Sequence, residues 1–204
     1  MSTASRHRPG VAWCAMALVL FAGSLIAQGP AARVVLEWRP DALIDDPWRA
    51  WSAAFVHYSR LHLVGNLTGL ALTAAFGWVA RVPTSATITW ALAWPLTHLA
   101  FLWLATDLRH YGGLSGVVHA GVAIGLVHLF ITGTRGQRLI AAALCAGLVA
   151  KLLSETPWRG AIQQHEGWDI AIAPIAHVSG VLAGTTLALT AHALRRFGAP
   201  SPSP

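Results

Sequence analysis

Residues 110–134 read HYGGLSGVVHAGVAIGLVHLFITGT, a run of 25 residues with no Asp, Glu, Lys or Arg. A helix crosses the hydrocarbon core of a bilayer with about 20 mainly apolar residues, so this run is long enough to span one. Its first turn is nonetheless mostly glycine and carries Ser115, with His119 four residues on. A hydroxyl among glycines at the entrance of a lipid-crossing segment is out of place in a purely structural span.

The rest of the chain repeats the pattern of long uncharged runs. Val11–Ala32, Leu61–Ala80, Val82–Thr106 and Ile170–Leu194 also lack charged residues, and Leu139–Ala150 does so over a shorter stretch. Of the 204 residues, 55% are hydrophobic and 11% charged, against about 25% charged in soluble domains. The mean hydropathy is +0.55. This composition excludes a soluble domain and predicts an all-α integral membrane protein with six transmembrane helices. Leu139–Ala150 is the least secure of the six; Lys151 can snorkel its amine to the interface and extend that helix to Leu153.

The expected organisation is a cytoplasmic N-terminal segment over 1–10, one membrane domain over 11–196, and a Pro/Ser-rich disordered tail over 197–204. With the N-terminus inside, the inner segments carry seven arginines and no acid, and the outer segments carry seven basic residues and all eight acids. Counting Lys and Arg alone gives a tie, but the inner turns are shorter and more densely basic. Arg6-His-Arg8 before an apolar run resembles a signal peptide, yet five further apolar segments follow, which favours a retained helix. Cys14 and Cys145 both fall within predicted helices and suggest no disulfide or zinc framework. The pI near 10.7 reflects arginine at the membrane surface; no basic stripe with interleaved aromatics points to nucleic acid. Two loops, about 33–60 and 154–169, mix Trp with charged residues, as interfacial segments do.

Polar side chains at bilayer depth are costly and mark function by default. His62 and Asn66 are four apart on the second predicted helix and share a face. Ser115 and His119 do the same on the fourth, and His177 lies on the sixth within AHVSGVLAG, residues 176–184. Taken singly, each also fits as a hydrogen-bonding contact between helices, worth about 0.6 kcal/mol on average. His98 and His128 are assigned that packing role. Gly180/Gly184 and Gly121/Gly125 likewise suit close helix packing.

Together the clusters make chemical sense. A serine hydroxyl is a poor nucleophile until a base takes its proton, and histidine is the usual base. Ser115 and His177 meet if their helices touch, with Gly112, Gly113, Gly116, Gly180 and Gly184 removing the bulk between them. A tetrahedral intermediate needs donors for its oxyanion, available from the Ser115 N–H, His62 and Asn66. No acid stands out as a third member, so a Ser–His dyad is expected, with no cofactor and no metal.

Three motifs in order, HxxxN at His62–Asn66, GxSG at Gly113–Gly116 and AHxxGxxxG at Ala176–Gly184, resemble those of the rhomboid intramembrane serine proteases. Trp48-Arg49 also looks like that family's Trp-Arg in its first outer loop, and the resemblance covers about residues 45–190. It implies a six-helix rhomboid fold with a water-filled cavity opening outward. It makes Ser115 the nucleophile and His177 the base, with His62, Asn66 and the Ser115 N–H at the oxyanion.

His119 stands where many rhomboids have a tyrosine packed on the base. GLSGVVHA in so compact a chain looks like the rhombosortase branch. That resemblance implies a bacterial inner-membrane enzyme opening to the periplasm. Its substrates would be exported proteins anchored by a transmembrane segment within a Gly-Gly-type C-terminal signal. His119 then either orients His177, contacts substrate or simply packs. Three alternatives are a general rhomboid protease, an inactive rhomboid-like client-binding protein, and a metal or haem protein using the ten histidines. The last lacks a close ligand pair such as HExxH.

Overall fold

The computed structural model describes residues 8–197. Residues 1–7 of the expected N-terminal segment and 198–204 of the expected tail lie outside this range. The described chain is mostly helical, and its extended pairings are two isolated bridges, Trp38 with Tyr111 and Gln163 with Ile172. The helices are α1 (Val11–Ile26), α2 (Pro30–Leu36), α3 (Arg49–Ser52), α4 (Arg60–Val79), α5 (Thr84–Leu99), α6 (Phe101–Leu104), α7 (Ser115–Thr132), α8 (Arg135–Ser154) and α9 (Pro174–Phe197).

Among the described residues, five helical stretches are long and apolar enough to cross a membrane: α4, α5 continued through α6, α7, α8, and α9. The expectation was six. The first helix, α1, has only 16 residues, about 24 Å at 1.5 Å per residue, which is short against a core of roughly 30 Å. It is nevertheless built into the bundle. Trp13 is fully buried, stacks on Trp90 with centroids 4.3 Å apart, and donates its indole N–H to the Thr73 carbonyl of α4. The segment around Leu139–Ala150 forms a helix of 20 residues, with Lys151 inside it and a Thr134/Gln137 capping box at its start. α9 extends one residue into the expected tail, to Phe197.

α7 is the central helix. Most of its length is buried, from Gly116 to Leu129, which explains a span that is apolar nearly all round. Its tightest neighbour is α9. A Cβ added at Gly180 would run into the Gly116 carbonyl, and one at Gly184 would stand 2.5 Å from the Ala120 carbonyl oxygen. Both obstacles are backbone, so glycine is the residue that permits this approach. In lipid, where tails are as apolar as leucine, such close packing is a main source of helix association.

The long loop between α1 and α4 packs back over the start of α7. Trp38 is fully buried edge-on to Phe101, and its backbone exchanges two hydrogen bonds with Tyr111, of 2.7 and 3.1 Å. The Gly113 N–H donates to the Ala53 carbonyl at 2.9 Å. Arg49 fastens the loop internally through Asp46 and the carbonyls of Val34 and Glu37. His98 joins α5 to the same loop by donating from Nδ1 to the Ala50 carbonyl at 2.7 Å, in keeping with its assigned packing role.

Replacing Gly180 by Ala is expected to lower stability by about 1–3 kcal/mol, the range for overpacking a tight contact. Gly147→Ala, at a helical site with open space around it, is expected to be neutral or stabilising by up to about 1 kcal/mol. Thermal unfolding of both variants in detergent micelles checks the contrast.

Candidate active site

The close approach of α7 and α9 carries two side chains with it. Ser115 is the first residue of α7, and His177 lies one turn into α9. The Ser115 Oγ and His177 Nε2 are 3.0 Å apart. At that distance an imidazole with its lone pair on Nε2 can accept the serine proton. Just upstream, Gly113 holds φ at +151°, a backbone conformation that disfavours any side chain. A Cβ there would also meet the His62 ring 3.0 Å from Nε2.

α4 brings His62 and Asn66 to the opposite wall. The Ser59 hydroxyl caps this helix by accepting from the His62 N–H at 3.0 Å, and it donates to Asp169 at 2.7 Å. His62 Nδ1 accepts a long hydrogen bond, 3.4 Å, from the Tyr58 N–H. That assigns the ring proton to Nε2, on the side facing Gly113. The Asn66 Nδ2 is buried without a hydrogen-bond partner. A buried amide N–H without an acceptor costs free energy, and here the same residue lines the cavity that Ser115 faces. His57 packs against His62 with centroids 4.9 Å apart, and burial pushes the His57 imidazole down to about 4, so a neutral ring stands there.

Ser115, His62 and Asn66 line one cavity of about 510 Å³, together with His119, His177 and Trp168. Trp168, from the loop between α8 and α9, lies over Gly65 and edge-on to His62. His119 stacks on His177, rings 4.3 Å apart and 14° from parallel. Its Nδ1 donates to the Ser115 carbonyl at 2.7 Å. Of the residues singled out in the sequence, Ser115, His119, His177, His62 and Asn66 therefore share the cavity. Gly113 lies against His62, and Gly116, Gly180 and Gly184 lie in the α7–α9 contact.

Sequence reasoning missed two groups. The expectation of no acid behind His177 is corrected: the Glu155 Oε2 lies 2.6 Å from its Nδ1. The other oxygen, Oε1, binds Lys151 Nζ at 2.6 Å, and that amine also lies 3.3 Å from His177 Nδ1. By sequence Lys151 snorkels to the interface and Glu155 belongs to an interfacial loop. The signal was the spacing of four between Lys151 and Glu155 at the end of an apolar run, which puts both on one helix face.

Fold and site define a helical integral membrane protein with a serine–imidazole pair held between two spanning helices. The family model described as the rhomboid domain matches residues 45–194, and the chain belongs to the rhomboid family. That family is of the intramembrane protease type, whose members act on substrate helices within the bilayer. A search of curated proteins finds no match.

Removing the α4 cap should loosen the His62 wall. Ser59→Ala is expected to lower stability by about 0.5–2 kcal/mol, while Ser59→Thr keeps the cap, as thermal unfolding in micelles would report.

Proposed function

We propose that the protein is an intramembrane serine endopeptidase of the rhombosortase type. It cuts the transmembrane anchors of exported proteins at Gly-Gly-type C-terminal signals. The observation that carries this reading is the 3.0 Å contact between Ser115 Oγ and His177 Nε2 inside a cavity also lined by His62 and Asn66. His119 stacked on the base, where many rhomboids have tyrosine, supports the branch.

In the reaction, His177 Nε2 takes the proton of Ser115 as Oγ bonds to the scissile carbonyl carbon. The oxyanion formed accepts hydrogen bonds from His62 Nε2–H, the Asn66 amide and the Ser115 N–H. The first N–H groups of a helix lack intrahelical acceptors and suit this task. Collapse breaks the C–N bond, and His177 returns its proton to the departing amine. Water then adds to the acyl-enzyme with His177 again as base, freeing the acid and restoring Ser115. A substrate helix must unwind to present its carbonyl. Glycine eases this, since each one weakens a helix by about 1 kcal/mol relative to alanine.

In this reading residues 11–196 form one membrane domain with α1 as the sixth crossing. The N-terminus is cytoplasmic and the cavity opens to the periplasm of a bacterial inner membrane. The arginine-dense turns at Arg81 and at Arg135/Arg138 support that orientation.

Purified wild-type protein is expected to release a new C-terminus from a Gly-Gly-bearing transmembrane substrate, read by mass spectrometry. Ser115→Ala should lose roughly 10⁴-fold or more of that activity. A fluorophosphonate probe should label wild type and not Ser115→Ala. Cleavage that persists in Ser115→Ala would overturn the reading. Cleavage confined to substrates lacking Gly-Gly would leave the protease and remove the branch.

A further inference from the structure

The geometry points to Glu155 as a positioning residue behind the Ser115–His177 pair: it holds His177 in the base tautomer against the competing amine of Lys151. This inference rests on the proteolytic reading above and deepens it.

A neutral imidazole carries one N–H, and its other nitrogen carries a lone pair. Nδ1 of His177 faces two groups that demand opposite things of it. The Glu155 Oε2, at 2.6 Å, can only accept, so it requires a proton on Nδ1. The Lys151 ammonium, at 3.3 Å, can only donate, so it requires a lone pair there. The choice is transmitted across the ring. With the proton on Nδ1, the lone pair of Nε2 faces the Ser115 hydroxyl and can take its proton. With Lys151 donating to Nδ1, the proton sits on Nε2, and the ring has nothing with which to accept from serine.

Glu155 decides the matter with both of its oxygens. Oε2 takes the Nδ1–H, and Oε1 engages the Lys151 amine at 2.6 Å, which draws the donor away from the ring. The carboxylate is well placed for this, since its side chain is 15% exposed and that of His177 10%, against 46% for Lys151. Charge–charge interactions are strongest where water is excluded, so the buried partner of the ring is the anion. Once the serine proton has moved to Nε2, the ring is an imidazolium with both nitrogens protonated. The Glu155 anion stabilises that cation, and the Nδ1 proton stays on the ring.

The placement is particular to this end of the fold. α8 buries only Ala141 along its length, yet its last turn closes onto α9 through these three side chains. Immediately after Glu155 the chain turns at Thr156, a non-glycine residue with φ of +46°, a strained conformation. Gln163 braces the turn through the Thr156 hydroxyl and carbonyl. The Glu155 backbone N–H also bonds back to the Lys151 carbonyl at 3.2 Å, fixing the two side chains to one turn.

The test uses the full-length protein in micelles, with two readouts: cleavage of a transmembrane substrate and the rate of fluorophosphonate labelling of Ser115. Glu155→Ala should lower kcat and labelling rate by at least roughly 10²-fold with little change in KM, toward the loss of about 10⁴-fold seen when a serine protease histidine loses the acid that sets its tautomer. Glu155→Gln should be as poor, because its amide can donate to Nδ1. Glu155→Asp, which keeps the charge on a shorter arm, should recover part of the loss. Lys151→Met alone serves as the baseline for the double variant. Decisively, Lys151→Met combined with Glu155→Ala should regain at least tenfold over Glu155→Ala alone, because the competing donor is gone. A merely structural role for Glu155 predicts no such rescue.

Thermal unfolding of each variant shows that it is folded. Glu155→Ala and Glu155→Gln within threefold of wild type, or a double variant no better than Glu155→Ala, overturns the inference. It also leaves the protease reading intact if Ser115→Ala is dead. A wild type that neither cleaves nor labels overturns the protease reading, and this inference with it.

Discussion

The site depends on one steric constraint: two helix backbones, α7 and α9, meet where no side chain fits between them. At Gly180 and Gly184 the α9 backbone lies directly against the carbonyls of Gly116 and Ala120. A single methyl group at either glycine collides with backbone, which cannot swing aside as a side chain can. This contact sets the distance between Ser115 and His177, because each sits within a turn of it. The glycines therefore act on the Ser115–His177 geometry at one remove, through helix separation. The loop over the start of α7 fixes the remaining freedom by binding Tyr111 and Gly113 to Trp38 and Ala53.

Polar groups in this bundle are arranged so that each hydrogen bond settles the next. Ser59 caps α4, which fixes the turn bearing His62. The Tyr58 N–H then leaves the His62 proton on the ring nitrogen facing Gly113. His119 spends its Nδ1 proton on the Ser115 carbonyl while its ring lies flat on His177. Buried polar networks are useful only when nearly every member is satisfied. The buried Asn66 amide N–H is an exception, and it belongs to a residue lining the cavity.

Much of this was legible in the sequence because the determinants are local. His62/Asn66 and Ser115/His119 are each four residues apart, so a helical period alone puts each pair on one face. Small residues at Gly180 and Gly184 announce a close contact without naming the partner helix. Glu155 was not legible in the same way. It follows a helix end, in a segment whose mixture of Trp and charge reads as membrane surface. Its approach to His177, across 22 residues of sequence, is decided by how the turn at Thr156 folds the chain back. At α1 the helix is shorter than the apolar run that predicts it. The apolar run Val11–Ala32 has the length of a span, but Gln28, Gly29 and Pro30 break it, and the helix stops at Ile26.

α8 buries only Ala141, so in a bilayer most of its surface is left to lipid rather than protein. A helix in that position finds its depth and tilt by matching its apolar length to the thickness of the bilayer. The carboxylate and the amine at its end travel with it, while His177 is locked to α7. The register between them is therefore partly a property of the membrane. A thicker or thinner bilayer would retune the hydrogen bonds behind the imidazole without altering a single residue.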